Sequence, residues 1–256
     1  MNVLPFFIVY GTLPALLAGM YFGGWANLLV PAVAFLLVPF GDLMTEHNLG
    51  NPSEADEKNK RLQLLFSLPL YAWIPLQVGV VAWGVHLATM RTGWDFVGLI
   101  ASVGLFTGGI GITIAHELIH RKSSFERGLG EVLMLSVTYP HFCVEHVFGH
   151  HKHVATPHDP ASSRLGESLY RFYPRTIVGS LLSAIRIENA RAKREGIRWW
   201  SLRHRMTRYA VVLAAAYGAV AGVAGLPGVV FFAFRAWWSS RCSKSSTTSS
   251  TTGCSE

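Results

Sequence analysis

Two clusters of histidines are the residues of this chain best suited to chemistry. The first is His116-Glu117-Leu118-Ile119-His120, in which the histidines are four residues apart and share one face of a helix. Two imidazoles on one face can bind one metal ion. The same HExxH pattern is the signature of zinc metalloproteases, in which the glutamate is the general base. The spacing therefore predicts a metal site, and a zinc protease is one interpretation of it.

The second cluster holds three histidines within the stretch EHVFGHH, Glu145–His151. His146 and His150 repeat the four-residue spacing, and His151 follows about 100° further round a helix, so it is expected to face another direction. Adjacent histidines that face different directions suit two metal centres better than one. A catalytic zinc site needs three protein ligands and an open position, which five clustered histidines exceed. Imidazole-rich sites suit iron, copper or zinc, and oxygen chemistry on an unactivated substrate favours iron.

The elements that must position these histidines are long apolar segments. The chain has 256 residues, of which 50% are hydrophobic and 14% charged, and its mean hydropathy is +0.32. A helix that crosses a bilayer core of about 30 Å needs about 20 mainly apolar residues. About five such spans are predicted, at residues 4–22, 25–41, 63–88, 96–115 and 209–233. The predicted fold class is an all-α integral membrane protein.

The basic residues predict how the chain is oriented. Fifteen of the 22 Lys and Arg lie between His116 and Arg208, and three more lie in the 42–61 loop. The positive-inside rule then places the N-terminus, this loop and the 116–208 segment in the cytoplasm, with both histidine clusters at cytoplasmic helix ends. We expect a multi-pass protein of a bacterial-type inner membrane, in contact with membrane lipid. Because topology explains the basic charge, nucleic acid is excluded as a partner.

The cysteines limit what the chain can do alone. There are three, Cys143, Cys242 and Cys254, and no two of them form a CxxC pair. A disulfide framework, a thiolate zinc site and a built-in iron–sulfur electron carrier are therefore unsupported. If the chemistry needs electrons, they come from another protein.

At the two histidine clusters the sequence resembles the integral-membrane alkane 1-monooxygenases, which belong to the histidine-box superfamily of non-haem di-iron desaturases and hydroxylases. The resemblance is carried by HELIH from His116 and by the longer run EHVFGHHKHVATPHDPASSRLGE from Glu145. The second motif is long and highly specific. The resemblance covers residues 1–235, including the span count and the cytoplasmic placement of the histidines.

The resemblance implies an enzyme with two iron ions that uses O2 to hydroxylate the terminal carbon of an alkane, which enters from the bilayer, to a primary alcohol. It implies a rubredoxin as electron donor, served by an NAD(P)H-dependent rubredoxin reductase. The implied iron ligands are His116, His120, His146, His150 and His151. No catalytic residue beyond the metal site is predicted. Three carboxylates could orient ligand imidazoles, with ordinary helix or turn polarity as the alternative: Glu117, Glu145 and Asp159.

The chain also departs from the family pattern. Arg121 stands where relatives usually have Lys, and His158 where they have Glu, and neither change blocks ligation. A third histidine box and an Asn-Tyr-x-Glu-His-Tyr-Gly motif, which the family has after the fifth span, do not appear in this chain. Residues 1–238 are therefore predicted to be a membrane hydroxylase domain, C-terminally incomplete, with about five spans of an expected six. Residues 239–256 are predicted to be a disordered low-complexity tail.

We interpret this tail as the product of a frameshift near Phe234–Trp238. Read from the third base of the Arg241 codon, with permitted codons chosen, the tail can be translated as VLEVVNYIEHYGLLG, which contains the NYIEHYGL motif of the family. A natural Ser/Thr tail is the alternative. We then expect that the 256-residue chain cannot complete the di-iron site and shows little or no terminal hydroxylation.

Other functions stay open at this point. A xylene-type or fatty-acyl hydroxylase or desaturase would use the same kind of centre, and product analysis separates it from an alkane hydroxylase. A membrane zinc protease would use HELIH and would contain zinc rather than iron. A non-catalytic membrane fragment is a further possibility, suggested by the unusual tail.

Overall fold

The structure is a computed structural model that describes residues 9–37, 39–40 and 60–251, with side chains for 9–37, 39–40 and 64–241. Within these residues the chain forms helices joined by turns and bends, and no β-strand occurs among them. The predicted all-α class is confirmed. Most of the predicted 42–61 loop lies outside the described residues.

Ten helices of the described residues are numbered in chain order. They are α1 (Leu13–Phe22), α2 (Leu29–Ala32), α3 (Lys60–Ala88), α4 (Gly93–Phe106), α5 (Ile112–Ile119), α6 (Ser124–Ser136), α7 (Phe142–Glu145), α8 (His151–His153), α9 (Leu169–Arg194) and α10 (Arg205–Thr251). The helical backbone of α10 is interrupted by a kink at Gly225, where φ is 57° and ψ is −154°. A 3-10 turn, Gly24–Leu28, precedes α2. Wider π-helical turns lie at Val33–Leu37, Thr107–Gly111 and His146–His150.

Three helical stretches are long and apolar enough to cross a bilayer. They are Leu64–Ala88, Gly93–Ile119 and Arg205–Arg241, which coincide with the predicted spans 63–88, 96–115 and 209–233. The first two predicted spans form shorter apolar helices, Val9–Phe22 and Gly24–Leu37. Residues 4–8, 38 and 41 of these two predicted spans lie outside the described residues. The membrane class is therefore supported, while the number of spans and their orientation stay predictions.

The apolar core lies between these helices. Trp73 on α3 stacks on Phe106 of α4 at 4.7 Å between ring centroids, and both rings are buried. Leu118 of α5 is also fully buried in the same cluster. Gly130 of α6 has no room for a side chain, because a Cβ there would lie 2.7 Å from the Ile119 side chain. Helices α5 and α6 thus pack closely, as small residues allow within a membrane bundle, and this contact fixes the helix that carries the first histidine motif.

A set of polar side chains, which we name the polar layer, joins several of these helices. It consists of Trp73 and Gln77 on α3, Thr107 in the π turn after α4, Ser136 on α6, and Arg235 and Ser239 on α10. Gln77 accepts a hydrogen bond from Trp73 Nε1 at 2.7 Å and donates one to Ser136 Oγ at 2.7 Å. Arg235 donates to Thr107 Oγ1 at 3.2 Å and to the Ser136 carbonyl oxygen. These hydrogen bonds thus link four elements of the bundle.

The backbone of α10 continues through the predicted boundary between residues 238 and 239 as far as Thr251. The expected disorder is wrong for residues 239–241, whose side chains the structure describes. Ser239 is fully buried and donates to the carbonyl oxygens of Arg235 and Gly104, each at 2.9 Å. A serine can thus satisfy its hydroxyl against helix carbonyls, and its small size lets the backbone of α10 approach Gly108. Composition alone hid this packing role. Residues 252–256 lie outside the described part, and the frameshift origin stays a prediction.

Candidate metal centre

The first histidine pair lies at the end of a long helical stretch. His116 is in the last part of α5 and His120 follows immediately after the helix ends at Ile119. Their ring centroids are 4.7 Å apart, as the i, i+4 spacing predicts. Leu118 and Ile119, between the two histidines, are buried in the apolar core, so the opposite face of the helix is fixed. The two imidazoles are therefore presented together on one side.

The second histidine motif does not form the regular helix that its spacing predicts. After α7 the chain makes a π-helical turn over His146–His150, which inserts one extra residue into the turn. His151 therefore comes back towards His146, and their Nε2 atoms lie 3.1 Å apart. The adjacent His150 and His151 still face different partners, Asp159 and His120 respectively. Turns of this kind often occur at functional sites.

The two motifs meet in space. His116 Nε2 lies 2.7 Å from His146 Nε2, and the rings of His120 and His151 have centroids 4.7 Å apart. The ligand atoms of His116, His120 and His146 all fall within 4.8 Å of one another. Four imidazoles from two helical segments thus converge on one small volume.

His150 joins this cluster differently. Its ring stacks on that of His146, with centroids 5.2 Å apart and 18° between the planes. Its Nδ1 donates a hydrogen bond to Asp159 Oδ2 at 2.8 Å. A carboxylate at one ring nitrogen fixes the imidazole and leaves Nε2 available to a metal ion. Asp159 therefore has the contact that a group orienting an imidazole needs.

Asp159 is itself held firmly. Ser162 Oγ donates to its Oδ2 at 2.5 Å and the Ala161 backbone N–H to its Oδ1 at 2.9 Å. Burial alone would raise the pKa of this carboxyl, but the hydrogen bonds from His150, Ser162 and Ala161 outweigh burial and lower the pKa. The hydrogen bond to Asp159 correspondingly raises the pKa of His150, against its own burial.

The other two predicted carboxylates are placed differently. Glu117 pairs with Arg121 at 2.9 Å and its side chain is 55% exposed, so ordinary helix polarity accounts for it and the structure gives it no contact with a ligand imidazole. Glu145 is buried, and its charge adds to the rise in the pKa of His150 that Asp159 causes. Asp159 has a hydrogen bond to one of the five histidines, His150.

The electrostatics favour neutral imidazoles where the rings converge. Burial, then the neighbouring His116, lower the pKa of His146 to about 2. Burial also lowers the pKa of His151, with His120 as the next cause. Neutral imidazole is the form that binds metal, because its lone pair is free.

The donor set fits a bound transition metal. Nitrogen ligands about 2.1 Å from a metal lie about 3 to 3.5 Å from one another. The separations of 2.7 and 3.1 Å between Nε2 atoms are close to these values. Nitrogen-rich sites suit iron, copper or zinc rather than magnesium or calcium. The residues present can therefore hold an ion of this type.

A comparison with known families settles the wider relationship. The fatty acid desaturase family model matches residues 92–241, more than half of the chain, and this range contains every predicted site residue. The chain belongs to the fatty acid desaturase family. The membership agrees with the histidine-box resemblance predicted from HELIH and EHVFGHH, which is confirmed.

Individual relatives of this desaturase-family chain point in the same direction. It is 42% identical to alkane 1-monooxygenase 2 of Pseudomonas aeruginosa over 173 residues, which cover 66% of this chain and 46% of that protein. It is 31% identical to an alkane 1-monooxygenase of Pseudomonas putida over 226 residues, covering 86% of this chain and 54% of that protein. The chain spans about half the length of the curated relatives it matches.

Sequence reasoning missed the group that holds the segment around Asp159. Arg175, on α9, binds both carboxylate oxygens of Glu167 at 2.6 Å. It also donates to the carbonyl oxygens of Pro160 and Ser162, at 3.2 and 2.9 Å. This arginine thus links Pro160, Ser162 and Glu167 to α9. No spacing rule links an arginine eight residues beyond a glutamate to a loop, so only the fold shows its role.

Phe142 is a second residue that sequence reasoning missed. Its ring is stacked on that of His146, with centroids 4.6 Å apart and 10° between planes. It also contacts the His116 ring at 6.2 Å. An apolar ring at this position limits the rotation of two converging imidazoles and keeps water from that side.

Proposed function

We propose that this histidine cluster is the iron centre of an alkane 1-monooxygenase, an enzyme that hydroxylates the terminal carbon of an alkane with O2. The observation that carries the proposal is the convergence of His116, His120, His146 and His151, from the two motifs shared with this family, on one volume. The similarity to alkane 1-monooxygenases over most of the chain supports the substrate class.

In this proposal the residues hold the metal and control its surroundings. His116, His120, His146 and His151 donate nitrogen ligands, and His150 donates a fifth while Asp159 keeps its ring in place. Five imidazoles suit two iron ions better than one. Bound iron would supply the O2 activation that attack on an unactivated C–H bond requires. The chain itself orients the ligands, lowers the pKa of His146 and of His151, and limits the access of water.

The electron donor is proposed to be a rubredoxin, reduced by an NAD(P)H-dependent rubredoxin reductase. The described cysteine, Cys143, is buried and unpaired with another cysteine, so it offers no exposed thiolate group for electron transfer. We also propose the inner membrane as the location, with the N-terminus and the histidine cluster on the cytoplasmic side, because most basic residues flank the cluster.

An apolar groove supports an alkane that enters from the bilayer. It is bordered by α3, α6 and α10 and has a volume of about 400 Å³. Almost all of the side chains that line it are aliphatic. Val81 and Val85 of α3 face Leu213 and Val220 of α10 across it. A hydrocarbon chain matches such a lining, because transfer of apolar surface between lipid and an apolar groove requires no loss of hydrogen bonds.

A second candidate is a xylene-type or fatty-acyl hydroxylase or desaturase. It is favoured by a 25% identity to the xylene/toluene monooxygenase hydroxylase component of Pseudomonas putida over 226 residues, and by the name of the matching family. The same centre would serve these substrates, so products distinguish them. The zinc protease interpretation finds less support, because Glu117, its required general base, is in an ion pair with Arg121.

Metal analysis followed by product analysis tests the proposal. The purified chain is expected to retain iron in preference to zinc, and the iron content is measured by elemental mass spectrometry, a measurement that does not depend on turnover. Membranes that hold the chain, supplied with rubredoxin, its reductase and NADH, are then offered octane, xylene and a fatty acyl ester. Iron retention carries the test of the centre, because little or no terminal hydroxylation is expected of the 256-residue chain. A primary alkanol would support the substrate class and overturn the expectation of an incomplete centre. Oxidation of xylene or the acyl ester alone would support the second candidate, and zinc without iron contradicts both.

A further inference from the structure

A pocket rich in basic side chains, which we name the basic pocket, lies beside the histidine cluster. It has a volume of about 730 Å³ and is bordered by His120. Its lining includes one carboxylate, Glu131, and seven basic residues, Arg121, Lys122, Arg127, Arg191, Arg203, Arg205 and Arg208. Such a density of positive charge in one concave site calls for an anion.

The basic pocket lies at the ends of two helical stretches that are long and apolar enough to cross a bilayer. Ile119 is the last residue of the stretch Gly93–Ile119, and Arg205 is the first residue of Arg205–Arg241. Both border the basic pocket, and Arg208 lies about one turn further into the second stretch. The basic pocket is therefore at the height at which lipid headgroups meet the protein.

Ion pairs inside the protein neutralise only part of this charge. Arg208 pairs with Glu131 at 3.0 Å, and Arg121 pairs with Glu117. Arg205 shares the buried Glu188 with Arg191. Including Glu195, which also pairs with Arg191, four carboxylates face seven cations. An excess of three positive charges remains.

The unneutralised charge belongs to three residues. Within the described side chains, Lys122 and Arg203 have no ion pair and no side-chain hydrogen bond, and both are exposed. Arg127 donates only to backbone carbonyl oxygens, those of Arg121 and Lys122. Its guanidinium is thus held in place by the backbone and keeps its full charge. These three groups are available to an external anion.

The segment before the basic pocket has the composition of a membrane-interface anchor. Trp199, Trp200 and Leu202 are 69%, 58% and 60% exposed and directly precede Arg203. The Arg198 guanidinium lies over the Trp200 ring at 5.5 Å. Exposed Trp side chains next to basic residues are typical of the headgroup region of a bilayer. Lipid therefore reaches the edge of the basic pocket.

We propose that the basic pocket binds the phosphate group of an anionic phospholipid headgroup. Guanidinium groups bind phosphate through paired, charge-assisted hydrogen bonds, and basic pockets between membrane helices take up such headgroups. Arg127, Arg203 and Lys122 contact the phosphate, while Trp199 and Trp200 lie among the neighbouring lipids. The inference does not depend on the proposed hydroxylase activity.

Native mass spectrometry of the detergent-solubilised chain tests this proposal. The protein is mixed with equal amounts of phosphatidylglycerol and phosphatidylcholine, and retained lipid is counted. We expect selective retention of phosphatidylglycerol. The double variant Lys122→Gln/Arg203→Gln, which breaks no described contact, is expected to weaken that retention about tenfold for each cation removed. The control Lys193→Gln/Arg194→Gln removes two exposed charges from α9 outside the basic pocket and is expected to bind as the parent chain does.

Other results overturn the proposal. Equal retention of the two lipids, or equal weakening by the pocket and control variants, shows that no specific headgroup site exists. Displacement of phosphatidylglycerol by the same concentration of inorganic phosphate assigns the site to free phosphate. If the double variant retains lipid as the parent chain does but loses salt-sensitive binding to an acidic electron-transfer protein, the basic pocket is assigned to a protein partner. If the double variant unfolds early, Lys122→Gln alone, expected to weaken retention about tenfold, and the charge-preserving Lys122→Arg, expected to bind normally, carry the test.

Discussion

The histidine cluster and the polar layer both concentrate polar groups next to an apolar bundle, yet they are built in opposite ways. In the polar layer donors meet acceptors, as where Gln77 lies between Trp73 Nε1 and Ser136 Oγ. In the histidine cluster like groups face one another, with the Nε2 atoms of His116 and His151 directed at that of His146. Complementary groups stabilise helix packing, whereas several imidazole nitrogens gathered in one place can also serve as ligands of a metal ion.

This difference predicts that the two regions fail in different ways. A change in the histidine cluster is expected to remove metal and leave the folded bundle in place. A change in the polar layer is expected to lower the stability of the bundle and leave the iron content of folded protein unchanged. Each of the following measurements therefore reports both iron per folded chain and the unfolding midpoint.

His146→Ala is expected to have the largest effect. His146 contacts the rings of His116, His120 and His151, so its loss opens the centre of the site. Iron affinity is expected to fall more than about 100-fold, beyond the 10- to 100-fold that loss of an outer partner costs. The matched control is His86→Ala, an exposed histidine on α3 that is expected to keep its iron. Equal iron in the two variants would show that the cluster is not the metal site.

Asp159→Asn is expected to lower iron affinity by about 10- to 100-fold. An amide cannot accept from His150 Nδ1, Ser162 and the Ala161 N–H with the strength of a carboxylate, so the His150 ring loses its orientation. Glu117→Gln is the control, since Glu117 pairs with Arg121 and is 55% exposed. Its iron affinity is expected to match that of the parent chain. The opposite ranking of the two variants would reverse the roles assigned to these carboxylates.

Asp159 and Glu117 also show how much of the candidate site could be predicted from the sequence. The histidine motifs predict which side chains meet, because ligand type and i, i+4 spacing are local properties. They do not identify Asp159 as the group that orients an imidazole, because its contact with His150 depends on how the 153–168 segment folds back, whereas Glu117 pairs with Arg121 one helical turn away. The π turn at His146–His150 is likewise absent from the residue pattern, since α and π turns of the same residues differ by a single shift in hydrogen bonding.

The fold was predictable to a similar extent. Apolar length identifies the three long spans, because hydrophobicity alone requires them to be buried or in lipid. It fails for residues 239–251, where a run of Ser and Thr resembles a disordered tail but continues α10. Ser239 owes its place to Gly104 and Gly108, more than 130 residues earlier in the chain. Contacts of such separation leave no local signal.

Arg235→Met tests the polar layer. The change removes the donors to Thr107 Oγ1 and to the Ser136 carbonyl oxygen. Ser136 ends α6, so its carbonyl has no donor within that helix. We expect a loss of about 2 kcal/mol in stability, measured as a lower unfolding midpoint, with iron per folded chain unchanged. A variant as stable as the parent would mean that burial of the guanidinium costs as much as its contacts contribute.

Gly108→Ala tests the close approach of α10 to the π turn. A Cβ at Gly108 would lie 2.5 Å from Ser239 Cα and 2.6 Å from its carbonyl oxygen, so the backbone must move. Overpacking of this kind costs about 1 to 2 kcal/mol. Gly109→Ala is the control, because a Cβ there meets nothing within 4 Å, and it is expected to leave stability equal or slightly higher. Similar midpoints for the two variants would show that this helix contact does not form.

The pH dependence of stability gives the smallest expected effect, at the edge of the histidine cluster. The hydrogen bonds from Arg175 lower the pKa of Glu167 to about 2 from its ordinary value of 4.5. A carboxyl with a lowered pKa stabilises the fold above its ordinary pKa, and this contribution is lost as the pH falls towards the lowered value. The parent chain is therefore expected to lose more stability than Glu167→Gln between about pH 5 and pH 3.

The control for that measurement is Glu195→Gln, which removes a half-exposed carboxylate paired with Arg191 at 2.8 Å. Solvent screens this pair, so its removal is expected to leave the pH profile of the parent chain in place. Because Arg175 also binds the carbonyl oxygens of Pro160 and Ser162, the acid loss in the parent chain should coincide with release of the segment that holds Asp159. If the pH profiles of the parent chain and Glu167→Gln run parallel, the ion pair of Glu167 with Arg175 does not contribute to the acid dependence of stability.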